Sequence, residues 1–433
     1  MTHQIKPLRI FNMLYKHQQE IINRNPKKHG IFLSSGSGKT RISLTLARGN
    51  TLVIAPKTQV EDKNWQRELE KINNPNKIQL TVISKERFRI DYLNVPDCDT
   101  LILEECHGCV GCSPSIKYVN RKPQPQTSQI FEKILHYIQN RHPSRIYLVS
   151  ATPAPTPMSV WGIAQLLGID WDFYRFRDTF YIELTNFRKN VFVPKKNKTL
   201  EEKLIFLIHS LGTVVSLQDC FDVPPQTYKT IYVEQTSEQR RELASAEQLY
   251  PEPLVYRTKA YGIENGVHYT YSIKDDKLEK QTALIKDNKM DYIKSLTDEF
   301  PKVLIFALFT AQIEKIANTL KKQRKTVFTL TGKTKDRGKL LTEAENCSQC
   351  IVIAQSGISS GYELSSFRTV IFASHSGRYI DRIQAEGRVQ RVNNIQKNLY
   401  VSLVTKGGVD EKCYKTIMNK QDFFLRMTND EKK

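Results

Sequence analysis

The stretch "GIFLSSGSGKTRISLTLAR", residues 30–48, decides how this chain is read. It opens with a short apolar run of strand character, passes through a Gly/Ser loop, and continues as a helical pattern from Lys39 to Arg48. A loop "SSGSGKT" at 34–40, set between a strand and a helix, is what a phosphate-binding loop requires. Gly36 and Gly38, with Ser35 and Ser37 between and before them, let backbone N–H groups turn toward phosphate oxygens. Lys39 is placed to reach the β- and γ-phosphates, and Thr40 to give a hydroxyl to Mg²⁺ at the helix N-terminus. The expected ligands are therefore ATP and Mg²⁺. Leu33 stands where the usual first glycine is found, which departs from the general pattern.

Outward from this loop the alternation repeats. Strand patterns "TLVIA" at 51–55, "QLTVIS" at 79–84, "TLILE" at 100–104 and "RIYLVS" at 145–150 are separated by helical patterns, including one over 62–72. A second series begins near Lys302: "KVLIFAL", a helix over 311–322, then "TVFTLT", "QCIVIAQ", "RTVIFAS" and "NLYVSLV". Short continuous apolar strands alternating with helices imply parallel sheets covered on both faces. The predicted fold is α/β, with two tandem parallel-sheet domains and a helical segment between them. Predicted boundaries are 1–235 for the first domain, with insertions at 106–129 and about 155–225, then 236–284 for a helical linker and 285–433 for the second domain.

The bulk numbers suit this plan. At 433 residues the chain is long enough for two or three cores. Its 65 basic against 45 acidic residues give a net charge of +20, which attracts polyanions, nucleic acid first among them, or simply keeps the surface solvated. No stretch approaches the ~20 apolar residues of a membrane span, so the expectation is a soluble protein of the cytoplasm or nucleus with no membrane partner. Eight bunched cysteines point to free thiols or a metal rather than to a disulfide framework.

"LILEECHGCVGC", residues 101–112, is the second informative stretch. A buried strand that ends in Glu104 and Glu105 after a phosphate loop offers one carboxylate for Mg²⁺ and one to orient and deprotonate the attacking water. The same stretch has Cys106, Cys109 and Cys112 at two-residue gaps, a spacing that also suits structural Zn²⁺, with His107 or the pair Cys347 and Cys350 as further ligands. Two readings stay open at this point: a nucleotide site beside a loop of free thiols, and a zinc knuckle.

These motifs, in this order, resemble the superfamily-2 helicases and translocases, more narrowly the Swi/Snf-type branch found in phages, large DNA viruses and chromatin remodellers. "YKHQQ" at 15–19 resembles the adenine-reading element, which implies a role for Gln18 at the base. "SSGSGKT" is similar to motif I, "APKTQVEDKNWQREL" at 55–69 to motif Ia, and "EECH" at 104–107 to the Asp-Glu-x-His box, with Glu104 where the family has Asp. "SAT" at 150–152 resembles motif III, which implies that Ser150, Ala151 and Thr152, with His107 and Gln384, couple hydrolysis to movement. "VLIFALF" at 303–309 resembles motif IV, "SGISSGYELSS" at 356–366 motif V, with Gly361 at the nucleotide, and "QAEGRVQR" at 384–391 motif VI. The last implies that Arg388 and Arg391 act as arginine fingers. "GGVDEKCYKTIMNKQDF" is similar to the tail of that branch.

The resemblance implies two RecA-like domains that close on ATP and step along a sugar-phosphate backbone; double-stranded DNA is the expected substrate, with a protein partner supplying specificity and a monomeric chain. Candidate backbone contacts are Lys57, Thr58, Ser84, Lys85, Lys333 and Ser359. Two rivals remain: a nucleic-acid-binding module whose ATPase is impaired by Glu104, and a phosphate-loop ATPase that remodels protein complexes.

Overall fold

Apolar strands of four to eight residues dictate the architecture of the computed structural model, which describes residues 14–186, 189–220, 224–274, 277–356, 364–390 and 397–429. The chain divides into two units, one of residues 1–222 with 423–433 and the other of residues 223–422.

The first unit contains strands β1 (Lys28–Leu33), β2 (Asn50–Ala55), β3 (Gln79–Ser84), β4 (Thr100–Glu104), a hairpin of β5 (Cys112–Val119) and β6 (Lys122–Thr127), β7 (Arg145–Val149), a second hairpin of β8 (Tyr181–Asn186) and β9 (Lys189–Pro194), and β10 (Gly212–Val215). Six of them form a parallel sheet in the order β10-β1-β7-β4-β2-β3. Ile31, Val149 and Glu104 lie side by side in its register, so β1, β7 and β4 all end at one carboxyl edge. Helices α1 (Lys16–Arg24), α2 (Lys39–Leu46), α3 (Lys57–Glu61), α4 (Asn64–Lys71) and α5 (Lys85–Asp91) open the series that covers the sheet. Ile21, Ile42, Leu44 and Trp65 seal one face against Val53, Ile102 and Tyr147.

The second unit contains β11 (Thr227–Val233), a hairpin of β12 (Val267–Lys274) and β13 (Lys277–Leu284), β14 (Lys302–Ala307), β15 (Val327–Leu330), β16 (Cys350–Gln355), β17 (Thr369–Phe372) and β18 (Leu399–Thr405). Its parallel sheet runs β11-β18-β17-β14-β16-β15. Alternation along β14 feeds two cores: Val303, Ile305 and Ala307 join one cluster, Leu304 and Phe306 the other. Ile313, Ile316, Ala317 and Leu320 of the helix Thr310–Lys322 close the first of these, on the single face expected from their spacing.

The helix expected over 62–72 is α4, preceded by the short α3, from which it is separated at Lys63 with φ 50°. Two features differ from the sequence reading. The segment between the sheets is not purely helical, since it includes the hairpins β8–β9 and β12–β13 as well as β10. The break at 222/223 precedes the expected 235 because β11 pairs with β18 from Thr227–Leu399 to Val233–Thr405; helices Ser237–Leu249 and Pro253–Glu264 and the hairpin β12–β13 therefore belong to the second unit. Among the described residues no helix is long and apolar enough to cross a membrane.

A buried polar network ties the second unit together. Lys289, almost fully enclosed, donates to Asp410 Oδ2 at 2.6 Å, Asn265 Oδ1 at 2.8 Å and Ala373 O at 2.8 Å. Glu264 accepts the backbone N–H groups of Val409 and Asp410 at 2.9 and 2.8 Å, which caps the helix Val409–Asn429 from outside it. Removing one partner leaves the other charge buried and unpaired. Asp410→Ala is expected to weaken the second unit by about 3–5 kcal/mol in denaturant titration, and Lys289→Met added to it to restore much of the loss. A loss below about 1 kcal/mol in the single variant would show that the pair does not hold this unit.

Candidate active site of the first unit

The loop of residues 34–40 leaves the carboxyl end of β1 and enters α2. Gly36 and Gly38 both have φ 84°, the left-handed region that only glycine adopts without strain. A Cβ on Gly38 would meet Gln18 Nε2, so a side chain there would also push the Gln18 amide off the loop. Gln18 packs onto the loop: its Nε2 donates to Ser37 O at 3.0 Å and its Oε1 accepts from Tyr15 N at 3.1 Å, while His17 Nε2 also lies 2.9 Å from Ser37 O. Ser37 is buried and its hydroxyl donates to Ser34 O. Lys39 Nζ folds back on the loop, donating to Leu33 O at 2.9 Å and Ser34 O at 3.1 Å. Thr40 follows it in the first turn of α2.

Glu104 ends β4 and Glu105 turns away at once with φ 47°, so the two carboxylates meet different surroundings. Burial, and next the charge of Glu105, push the Glu104 carboxyl up to about 8, against the pull of Lys39, Lys85 and a hydrogen bond from Gln59. Its Oε2 is buried with no hydrogen-bond partner. Burial also opposes ionisation of Glu105, but the hydrogen bond and charge of His107, with Lys39 and Lys85 behind them, outweigh it and hold this carboxyl down at about 2. His107 Nδ1 lies 3.2 Å from Glu105 Oε2 and 3.1 Å from Ser150 Oγ. Ser150 Oγ in turn donates to Glu105 Oε2 at 3.2 Å and accepts from Thr152 N at 3.1 Å. The arrangement holds an ionised Glu105 with two groups fixing one oxygen, beside a second carboxylate whose free oxygen faces no protein donor. An orphaned hard oxygen near Lys39 and Thr40 fits a small divalent cation such as Mg²⁺.

In the second unit, Arg388 is half-buried just beyond the helix Tyr379–Glu386; its Nε donates to Gln384 O at 3.0 Å and its own carbonyl accepts from Leu364 N at 2.9 Å. This segment is the decisive one for comparison. Residues 288–393 match the helicase conserved C-terminal domain. No curated protein matches the chain. Among solved structures, the Pyrococcus furiosus Hef helicase domain is similar at 14% identity, covering 93% of this chain and 98% of that one with a TM-score of 0.52. The Sulfolobus solfataricus SWI2/SNF2 ATPase core in complex with dsDNA aligns at 17% identity, covering 99% of this chain and 96% of that one, with a TM-score of 0.38. The first likeness establishes a shared fold, that of tandem RecA-like domains; the second is too low to carry an argument.

The matched residues thus include β14 to β17 and the helix that leads to Arg388. Three expected residues of this half, Ser359, Gly361 and Arg391, lie outside the described residues. In the first unit the structure gathers Gln18, Ser35 to Thr40, Glu104, Glu105, His107, Ser150 and Thr152 at one sheet edge, with Ala151 between the last two. Lys57 is exposed and paired with Glu61 at 3.6 Å, Thr58 is half-buried, and Ser84 caps α5 by accepting from Arg87 N. Lys333 is exposed in the turn after β15. Lys85 is placed otherwise than a backbone contact would be: its Nζ donates to Glu105 O at 2.7 Å, behind the acidic pair. Gln59, which the sequence reading passed over, bonds Glu104; a glutamine on a short helix carries no signal of that contact.

Cys106 and Cys109 are buried, Cys112 is half-buried in β5, and burial raises all three thiols, Cys112 to about 12, which keeps them protonated. Among the described residues no group of three or more His, Cys, Asp or Glu side chains is arranged to hold a metal. The segment that follows them is the hairpin β5–β6 rather than a loop.

The raised Glu104 carboxyl has a consequence for stability. Its folded value of about 8 lies above the unfolded value of 4.5, so the stabilisation it provides is complete below about 4.5 and disappears as pH rises through 8. In metal-free buffer, Glu104→Gln is therefore expected to gain stability over the parent as pH rises from 5 to 9, by more than about 1 kcal/mol at the upper end. A thermal-melting difference that is flat or shrinks with pH would contradict the environment described for Glu104.

Proposed function

We propose that the protein is an ATP-dependent nucleic-acid motor of the superfamily-2 type, hydrolysing ATP at the first unit's loop and using arginines of the helicase C-terminal domain to stabilise the transition state. The observation that carries this reading is the acidic pair at the end of β4: an ionised Glu105 held by His107 and Ser150, next to Glu104 with an unpartnered oxygen, on the same sheet edge as the Lys39 loop.

The chemistry follows from those residues. Loop N–H groups cradle the phosphates and Lys39 exchanges its two carbonyl partners for β- and γ-phosphate oxygens. Glu105, ionised throughout the neutral range, accepts a proton from water as that water attacks the γ-phosphorus; the bond to the β,γ-bridging oxygen breaks and ADP leaves. The Ser150 hydroxyl and His107 keep the accepting carboxylate in one orientation. Thr40 and Glu104 would hold Mg²⁺, which supplies charge neutralisation at the phosphates when bound. Arg388 and Arg391 would add positive charge to the γ-phosphate, as the resemblance implies.

Support for a nucleic-acid partner comes from the net charge of +20 and from the helicase C-terminal match. Within this reading the Swi/Snf-type branch, a phage or viral setting, and double-stranded DNA in the cytoplasm or nucleus are the finer assignments. One observation favours a second reading: a Glu104 carboxyl raised to about 8 resists giving up its proton to a metal, which suits a binding module with an impaired ATPase.

Phosphate release measured with single-stranded DNA, duplex DNA and RNA separates the readings. The motor is expected to show ATPase stimulated by nucleic acid, and Lys39→Ala and Glu105→Gln to abolish it while nucleic-acid affinity stays within about threefold, since neither change removes a candidate backbone contact. Full activity in either variant would contradict the site; hydrolysis indifferent to any nucleic acid would favour an ATPase that remodels proteins.

A further inference from the structure

The pair Cys347 and Cys350 has the same two-residue gap as Cys106, Cys109 and Cys112 but different surroundings. It stands between the stretches 303–309 and 356–366, and the mechanism above makes no use of it. Cys347 follows the helix Arg337–Asn346 with φ −73° and ψ 134°, an extended backbone that stops the helix, and Cys350 opens β16 three residues later. Both ends of this bend are held. Cys347 N donates to Glu343 O at 3.0 Å and Cys350 N to Pro301 O at 3.0 Å. Lys302, which pairs with Cys350 across the sheet, donates from its Nζ to Glu345 O at 2.9 Å and so pins the end of the same helix.

The two side chains converge across the bend. Cys347 Sγ lies 3.2 Å from Gln349 O, the carbonyl bonded to the Cys350 nitrogen, and Cys350 Sγ reaches back to Ala344 O at 3.5 Å in the last turn of the helix. A hydrogen bond links the two thiols. Their exposures differ: Cys350 is buried and Cys347 half-buried. Cys112 and Cys220 also reach the surface, but neither has a second thiol as its hydrogen-bond partner among the described residues. Burial, and after it the charge of Cys347, push the Cys350 thiol up to about 12 against the pull of Lys302, with Glu345 a further acidic neighbour; of the two, Cys347 is therefore placed to react first.

We propose that Cys347 and Cys350 close to a reversible disulfide by exchange with a small-molecule disulfide, which makes this bend a redox-modification site of the second unit. Cys347, as a thiolate, attacks one sulfur of that disulfide; the bond between its two sulfurs breaks, and one half leaves as a thiolate that takes a proton from solvent. Cys350 then gives up its proton, attacks Cys347 Sγ and expels the second half, which leaves as a thiol. Two protein thiols are oxidised and one small disulfide is reduced to two thiols. Closure asks for little backbone movement, because the side chains already meet across a bend whose two ends are hydrogen-bonded.

Treatment of the full chain with oxidised glutathione, followed by alkylation under denaturing conditions and mass spectrometry of the peptide 340–368, tests this. The peptide is expected to become lighter by two hydrogens, to escape alkylation and to recover its parent mass with a reductant. Cys350→Ser, which keeps a donor for Ala344 O, is expected to retain one glutathione on Cys347, and Cys347→Ser to leave Cys350 unmodified, since burial denies it the reagent. In the parent, closure is expected to quicken about tenfold per pH unit between 7 and 9, following the thiolate fraction of Cys350. A lasting glutathione adduct on Cys347 of the parent, survival of both thiols, a disulfide from either residue to a third cysteine, or modification of Cys350 at the parent rate in Cys347→Ser would overturn the proposal.

Discussion

Two carboxylates on adjacent buried residues cannot share one environment, and the left-handed turn at Glu105 is what keeps them apart. Glu104 stays in line with the strand and faces burial without a donor, whereas Glu105 swings to His107 and Ser150. Burial, and next the charge of Glu105, push Glu104 up to about 8, whereas the hydrogen bond and charge of His107, with Lys39 and Lys85, outweigh burial and hold Glu105 at about 2. Such a split is how a single stretch supplies both a metal-seeking oxygen and an ionised base. The rest of the first unit serves it: parallel strands bring the loop to the same edge, Lys85 fixes the Glu105 carbonyl from behind, and Gln59 reaches Glu104 from α3.

The second unit solves a different problem with the same kind of sheet. Its long terminal helix needs an anchor for exposed backbone N–H groups, and Glu264 supplies it from a helix far away in sequence. Lys289 then neutralises the neighbouring Asp410 inside the core. These contacts tie the helix Pro253–Glu264 and Asn265 to the rest of this unit.

Much of this was legible in the residues. Strands such as "TLILE" and "KVLIFA" are continuous apolar runs because both faces are covered, and their positions followed from that alone. The loop at 34–40 announced itself through two glycines whose backbone no other residue adopts cheaply, and the acidic pair through its place at a strand end. The hairpins β8–β9 and β12–β13 were passed over: the alternation of Val267, Tyr269, Tyr271 and Ile273 with polar residues was there to read, while the partner strand 277–284 is mostly polar and shows none. The role of Lys85 was not legible: a lysine at a helix start looks like a surface cation, and only the fold brings Glu105 O within 2.7 Å of it. The cysteine triplet left two readings open, because metal-ligand spacing in sequence carries no information on the burial that raises these thiols.

A crystal structure with a non-hydrolysable ATP analogue and Mg²⁺ tests the central claim most directly. The account expects Lys39 Nζ to leave Leu33 O and Ser34 O for phosphate oxygens, the metal to lie on the Thr40 and Glu104 side of the triphosphate, and Glu105 to keep its bond to Ser150 while facing the γ-phosphate. A nucleotide bound elsewhere, or one bound at the loop with Glu104 still buried away from the metal, would contradict it.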